Sequence, residues 1–319
     1  MGKRQIYYAN CVNFVDMKKC ICYLLVGLLY PVSLLPLKVH YFFSNIFFFF
    51  VYHVVGYRKS TVYINLARSF PHLKYGEIKS LARKFYRHFA DLAAETLWYV
   101  AATPRRLAKR VRLEQADILK VLYEQNKSVV LLSGHMGNWE YFLVTSVYAD
   151  MGLGGYPKNR MAIVYKALEN SVMDSFFYGV REKHRFGGLV ESNRIARFMA
   201  QHRREAWLYA LVADQSPLPG SRYCVDFLHQ PTLMMNGPEQ LARMMNCAVA
   251  YYKMNKEGRG RYLITVQPIC NHPDELPEGG ITSAYAKLLE ENIYEQPEIW
   301  LWSHKRWKRD VEKEMHKAK

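Results

Sequence analysis

Ser128-Val129-Val130-Leu131-Leu132-Ser133, running directly into Gly134-His135-Met136-Gly137-Asn138-Trp139-Glu140, is the stretch on which the fold turns. A strand whose successive residues are all apolar has both faces covered, which places it inside a parallel sheet rather than at a solvated edge. Gly134 and Gly137 mark a tight turn, and Asn138 is a good N-cap for a helix carrying Trp139 to Tyr148. Working outward, runs of strand length recur at Met161–Tyr165, Trp207–Ala213, Cys247–Met254 and Tyr262–Ile269. Helical patterns separate them at 137–150, 169–183, 191–202 and 238–246. This alternation predicts an α/β fold, a central sheet flanked by helices. Such sheets bind ligands at the carboxyl ends of their strands, and His135 sits at one.

The turn between His135 and Glu140 is what could bring their side chains together, because residues five apart on one continuous helix point well away from each other. A neutral imidazole can then take the proton of an acceptor hydroxyl while the carboxylate fixes its tautomer and stabilises the imidazolium. The turn residues Gly134, Gly137 and Asn138 fall at the substrate, the glycines leaving room for its approach and for backbone N–H groups aimed at an oxyanion. A second reading stands beside this one. The helix dipole favours an acidic residue in the first turn in any case, and a histidine beside a turn can simply cap a carbonyl.

The N-terminal region decides the class of partner. No residue from Cys20 to Leu37 is charged, and Val39–Tyr57 contains only His40 and His53 as titratable interruptions. Both runs are near the lower length for crossing a bilayer, and Pro31 and Pro36 break the first. Lys18 and Lys19 before the runs and Arg58 and Lys59 after them suit a hairpin, an interfacial helix or a single crossing. Residues 1–57 are thus expected to form an extension and helical membrane anchor, with residues 1–16 an upstream extension. Residues 58–319 are expected to form one catalytic domain, opening on an amphipathic helix over 76–101 in which Ile78, Leu81, Phe85, Phe89, Leu92 and Leu97 alternate with Lys79, Arg83, Lys84 and Arg87.

The 319 residues carry a net charge of +16, which favours an anionic partner without choosing among phospholipid, nucleic acid and an acidic protein. Six cysteines show no CxxC pair or disulfide-scaffold spacing, and no histidine cluster completes a zinc site, so a reduced interior without metal is expected.

Several separated segments now read together. Tyr63-Ile64-Asn65-Leu66-Ala67-Arg68-Ser69-Phe70-Pro71, the Gly134–Glu140 turn, Tyr165-Lys166-Ala167-Leu168-Glu169-Asn170, Ala213-Asp214-Gln215 and Pro297-Glu298-Ile299-Trp300-Leu301-Trp302-Ser303-His304-Lys305-Arg306-Trp307-Lys308 occur in that order. The chain resembles the lysophospholipid acyltransferase-like superfamily, whose signature is His, four residues, then Asp or Glu. Within it, the chain resembles the lipid A biosynthesis (lauroyl/myristoyl-type) acyltransferases. The resemblance implies transfer of a fatty acyl chain from acyl carrier protein to a hydroxyl of a phosphorylated glycolipid at the cytoplasmic face of the bacterial inner membrane, with no cofactor, metal or nucleic acid. It makes His135 the general base and Glu140 its partner.

Lys166, Asn170 and Arg181 are placed at the acceptor's phosphate or sugar, or else on a solvated helix. Lys166 stands where this branch often has Arg, exchanging a planar clamp for a point charge. Asp214 and Gln215 either order the floor of the site by hydrogen bonds or cap a turn. The basic residues among Trp300, Trp302 and Trp307 suit a lipid headgroup layer. A different lipid acceptor, or a basic non-enzymatic membrane or nucleic-acid-binding protein, remains as the alternative.

Overall fold

The structure, a computed structural model, describes residues 24, 27–143, 148, 155–167, 170, 172, 174–175, 178–179, 188–221 and 223–317. Seven strands form one mixed sheet: β1 (Val111–Glu114), β2 (Val129–Ser133), β3 (Met161–Tyr165), β4 (Gly188–Glu191), β5 (Leu208–Val212), β8 (Ala248–Gly258) and β9 (Arg261–Cys270). Their spatial order is β1-β9-β8-β2-β5-β3-β4, and β6 (Cys224–Phe227) pairs with β7 (Gln230–Leu233) in a separate hairpin. β2 lies at the centre, parallel to β8 and to β5, with Val130 opposite both Val249 and Tyr209. All five of its residues are buried, as the unalternated run requires. Only the β8–β9 pair is antiparallel in the large sheet; its turn is closed by Gly260 in the left-handed region (φ 69°).

The helices bounded within the described residues are α1 (Gly27–Ser33), α2 (Leu37–Phe49), α3 (Lys59–Ser69), α4 (Tyr75–Tyr99), α5 (Pro104–Ala108), α6 (Asp117–Glu124), α7 (Ile195–Gln201), α8 (Gly237–Met244), α9 (Gly280–Glu295) and α10 (Val311–Lys317). The longest, α4, starts where the Glu77 side chain reaches back to accept the Lys74 N–H at 2.8 Å. It buries the expected Ile78, Leu81, Phe85 and Leu92. It also buries His88, Asp91 and Glu95, polar residues on a second stripe that the apolar pattern does not reveal. α8 packs on β2, and α9 on β8 and β9.

Five of the seven large-sheet strands, β2, β3, β5, β8 and β9, fall within a few residues of the expected runs, whereas the edge strands β1 and β4 were not expected. The helix expected over 137–150 begins as a 3-10 turn, Trp139–Leu143. The pattern at 191–202 divides into the end of β4 and α7; in the one at 169–183, residues 172, 174–175 and 178–179 are helical, and apart from residue 170 the others lie outside the described residues. Among the described residues, no single helix is long and apolar enough to cross a membrane. α1 and the α2 segment, which runs on through a π-helical turn to Val55, form a pair bent by 112° that together meet the length and composition. α2 packs on α4, burying Leu37, His40, Ser44 and Phe48, while Phe42, Phe43, Ile46, Phe47, Phe49 and Phe50 stay exposed.

Candidate active site

β2 and β5 are parallel neighbours, so the loops leaving their carboxyl ends emerge side by side: Gly134-His135 from one, Ala213-Asp214-Gln215 from the other. Ala213 N–H donates to the Ser133 carbonyl at 3.0 Å and fixes their register. A side chain at Gly134 would strike Leu289 Cδ1 at 2.5 Å and approach Asp214 Oδ2 at 3.3 Å, so the glycine is what lets Asp214 come close. Gly137 has φ 57°, and a Cβ there would meet Met254 Sδ at 2.8 Å. Its N–H donates to the Ile299 carbonyl at 3.0 Å, while Met136 bridges to Trp300, so the C-terminal segment holds the turn from outside the sheet.

Asp214 grips His135 twice. The imidazole Nδ1–H donates to Oδ1 at 2.5 Å, and the His135 backbone N–H donates to Oδ2 at 2.8 Å. Trp300 Nε1–H donates to the same Oδ2, also at 2.8 Å. Burial alone would push the Asp214 carboxyl up, but the neighbouring imidazole and these three hydrogen bonds outweigh it and hold the group at about 2. With Nδ1 carrying the proton, Nε2 presents its lone pair, which accepts from the Gln215 side-chain amide at 3.2 Å. An imidazole oriented by a buried carboxylate with its second nitrogen free of a proton is equipped to act as a base.

Beside it lies a cavity of about 380 Å³, lined among others by Trp139, Glu140, Gln215 and His304 and by Phe89 and Leu92 of α4. Arg58 reaches the rim, its Nη1 donating to the Ser303 carbonyl at 3.0 Å. Burial, reinforced by the surrounding positive charges against the pull of Asp214, holds His304 down at about 4. Its Nε2 accepts the Ser216 N–H at 3.2 Å, which leaves the proton of the neutral ring on Nδ1.

The structure redistributes the expected roles. The carboxylate meeting His135 Nδ1 is Asp214, where residue spacing had suggested Glu140; a neighbouring parallel strand delivers Asp214 to the ring, whereas Glu140 lies on the cavity wall. Asn138 neither caps a helix with its side chain nor faces the cavity. It is fully buried, and its Nδ2 donates to Glu95 Oε2 at 2.9 Å, while its carbonyl accepts the Tyr141 N–H.

Lys166 and Asn170 follow β3 and are exposed, and the Asn170 Oδ1 accepts the Val172 N–H at 3.1 Å in a local turn. Arg181 lies outside the described residues. The Trp-rich C-terminal segment lies only partly on the surface: Lys305 and Lys308 are exposed, whereas Trp300, Trp302 and Arg306 are buried, with polar atoms bonded to Asp214, Pro297 and Leu233. Asn65 of α3 donates to the carbonyls of Trp302 and His304, tying the first motif to the last. The site roles of Trp300, Arg58 and Glu95 escaped sequence reasoning; for Trp300 the signal was its place in a recurrent motif, and for the other two there was none.

Fold and site together define an α/β protein with a partly buried histidine held by a buried aspartate at the ends of adjacent parallel strands. Residues 12–309 match the bacterial lipid A biosynthesis acyltransferase family, and the chain belongs to it. It is similar to a lipid A biosynthesis lauroyltransferase of Escherichia coli (strain K12), 24% identical over 254 residues that cover 79% of each chain. Membership makes the protein an acyltransferase and implies a lipid A-type glycolipid as acceptor.

Proposed function

We propose that the protein moves a fatty acyl chain from acyl carrier protein to a hydroxyl of a lipid A precursor at the cytoplasmic face of the bacterial inner membrane. The contact that carries this reading is His135 Nδ1 on Asp214 Oδ1 at 2.5 Å, beside a cavity lined by both polar and apolar residues. The acceptor hydroxyl takes the place of the Gln215 amide at Nε2. As Nε2 removes its proton, the hydroxyl oxygen bonds to the thioester carbonyl carbon. The carbon–sulfur bond then breaks, and the imidazolium returns the proton to the departing thiolate. Asp214 stabilises the imidazolium without taking the proton, consistent with a carboxyl held at about 2. Glu140 and His304 contact the substrates from the cavity wall, and Phe89 and Leu92 receive acyl carbons.

The exposed aromatic face of α2 supports attachment to the lipid surface. Phe42, Phe43, Ile46, Phe47, Phe49 and Phe50 form an unusually large exposed apolar patch. Further along the chain, Tyr57 lines the cavity and stacks on Phe89 at 5.9 Å.

The test is acyl transfer in isolated membranes, with acyl carrier protein as donor and mass spectrometry of the lipid pool as readout. A gain of one acyl chain that disappears in His135→Ala supports the reading. Full transfer by that variant removes His135 as base, and transfer only from another donor removes the carrier protein.

A further inference from the structure

α4 faces in two directions at once. Its buried stripe of His88, Asp91 and Glu95, spaced by three and then four residues, touches α2 on one side and the His135 turn on the other. Glu95 has no exposure at all. Its Oε1 accepts from Tyr41 OH of α2 at 2.9 Å; its Oε2 accepts from Asn138 Nδ2 of the turn and from Tyr262 OH of β9, both at 2.9 Å.

One turn away a second chain runs in parallel. Ser44 of α2 donates to Asp91 Oδ1 at 2.7 Å, and Arg259 donates to both Asp91 oxygens at 3.0 Å. Lys256 lies 3.8 Å from Asp91 and donates to His88 Nδ1 at 3.3 Å. His88 Nε2–H ends the chain on the Gly137 carbonyl at 3.2 Å. Both chains therefore start on the buried face of the helix whose other face is the exposed aromatic patch, and both end on consecutive residues of the turn that presents His135.

Burying the Glu95 carboxyl is costly, and the hydrogen bonds from Asn138, Tyr262 and Tyr41 offset that cost only while those three groups keep these positions. An apolar contact would hold α2 on α4 just as well, yet the side chains here are Tyr and Ser against Glu and Asp. α2 also sits tightly: a Cβ on Gly260 would fall 3.3 Å from Leu37 Cδ2 and closer still to the Tyr41 hydroxyl.

We infer that Glu95 is a positioning residue that joins the seating of α2 to the His135 turn, so that the helix meeting the lipid surface and the imidazole keep one fixed spatial relation. Asn138 is its contact within the turn, and Tyr41 its contact on the helix. The inference rests on His135 being the working residue of the site.

The test uses the full chain in detergent micelles, with two independent readouts: amide hydrogen exchange of the segment 134–138 and steady-state acyl transfer. Tyr41→Phe removes one hydroxyl at the end remote from the turn, and Glu95→Gln replaces the shared carboxylate. Both are expected to raise exchange at 134–138 and to lower kcat by about fivefold, while KM stays within about twofold, because one well-placed hydrogen bond governs an effect of that order. Tyr63→Phe, which deletes a hydroxyl that meets the Tyr52 hydroxyl and is outside both chains, is expected to leave both readouts unchanged.

Wild-type exchange and kcat in Tyr41→Phe would overturn the inference, even if Glu95→Gln fails to fold. So would a rise in exchange spread evenly over β2, β5 and β8, which marks general destabilisation. The exchange readout needs no acyl transfer, so full activity in His135→Ala would remove the base while leaving the α2-to-turn linkage to stand or fall separately.

Discussion

The carboxyl ends of β2 and β5 and the carboxyl end of β3 lie on the same edge of one sheet, and each is followed by a family-like segment, yet among the described residues only the first two are built into a site. At β2 and β5 a backbone bond joins the strands, Asp214 grips His135 through ring and backbone, and Trp300 closes the far oxygen. At β3, Lys166 and Asn170 are exposed, and the Asn170 side chain serves its own turn. A motif residue thus acquires fixed geometry from what packs over it; strand-end placement alone leaves it solvated.

The largest expected effects fall at the packed pair. His135→Ala and Asp214→Asn each lower acyl transfer by about 1,000-fold or more, the second because an amide cannot stabilise the imidazolium. Glu140→Ala, on the cavity wall, costs about 100-fold. A smaller loss from Asp214→Asn than from Glu140→Ala, in steady-state kinetics of folded variants, would return the orienting role to Glu140 and break the contrast drawn here.

Next in size is the turn itself. Gly137→Ala forces a left-handed residue against Met254 and is expected to cost about 1–3 kcal/mol of stability by urea titration. Trp300→Phe strips one donor from a buried carboxylate, also at about 1–3 kcal/mol, and lowers kcat with little change in KM. An unchanged denaturation midpoint in both would mean that the C-terminal segment does not clamp the turn.

A smaller, graded effect concerns acid. Burial foremost, and then the neighbouring Lys256, hold His88 down at about 3, and burial holds His304 at about 4, whereas both imidazoles titrate at 6.5 when free. Between these values the unfolded chain binds more protons than the fold. The stability gained from keeping them neutral is therefore complete above pH 6.5 and is lost as pH falls toward 4 and then 3. Asp214 adds to the loss only lower, between its ordinary 3.8 and about 2. The urea midpoint should decline from pH 7 to pH 5, and His88→Gln, which keeps an N–H for the Gly137 carbonyl, should flatten that decline. An identical slope in the variant removes His88 from this account.

The smallest effect is expected at β3. Lys166→Ala should change KM by less than about threefold, since an exposed ammonium contributes little against water and salt. A loss as large as that of Glu140→Ala would mean that the acceptor itself recruits Lys166, and would narrow the difference between the two strand ends.

Much of the architecture was legible in the chain because burial on both faces leaves a mark in the residues themselves. β2, β3, β5, β8 and β9 follow from apolar runs, and α4 from its apolar stripe, whereas the edge strands β1 and β4 did not stand out. α9 was not foreseen, although Ile281, Tyr285, Leu289 and Ile293 recur every fourth residue, and neither was the β6–β7 hairpin, whose burial comes from pairing. In the site, strand, glycines and terminal placement singled out His135, and the Ala-Asp-Gln segment drew attention to Asp214 without specifying what it touched.

The sequence by itself determined that a histidine would stand at the end of a central strand, behind an apolar N-terminal region, in a chain with the segments of an acyltransferase. Only the tertiary structure decided which carboxylate the imidazole meets, because residues 79 apart in the chain become neighbours when β5 pairs with β2. It likewise decided that Glu95 and Asn138 face each other, since polar residues on a helix show whether they are buried only when the elements covering them are in place. Periodicity records whether a side chain is buried, and the partner it finds there depends on topology.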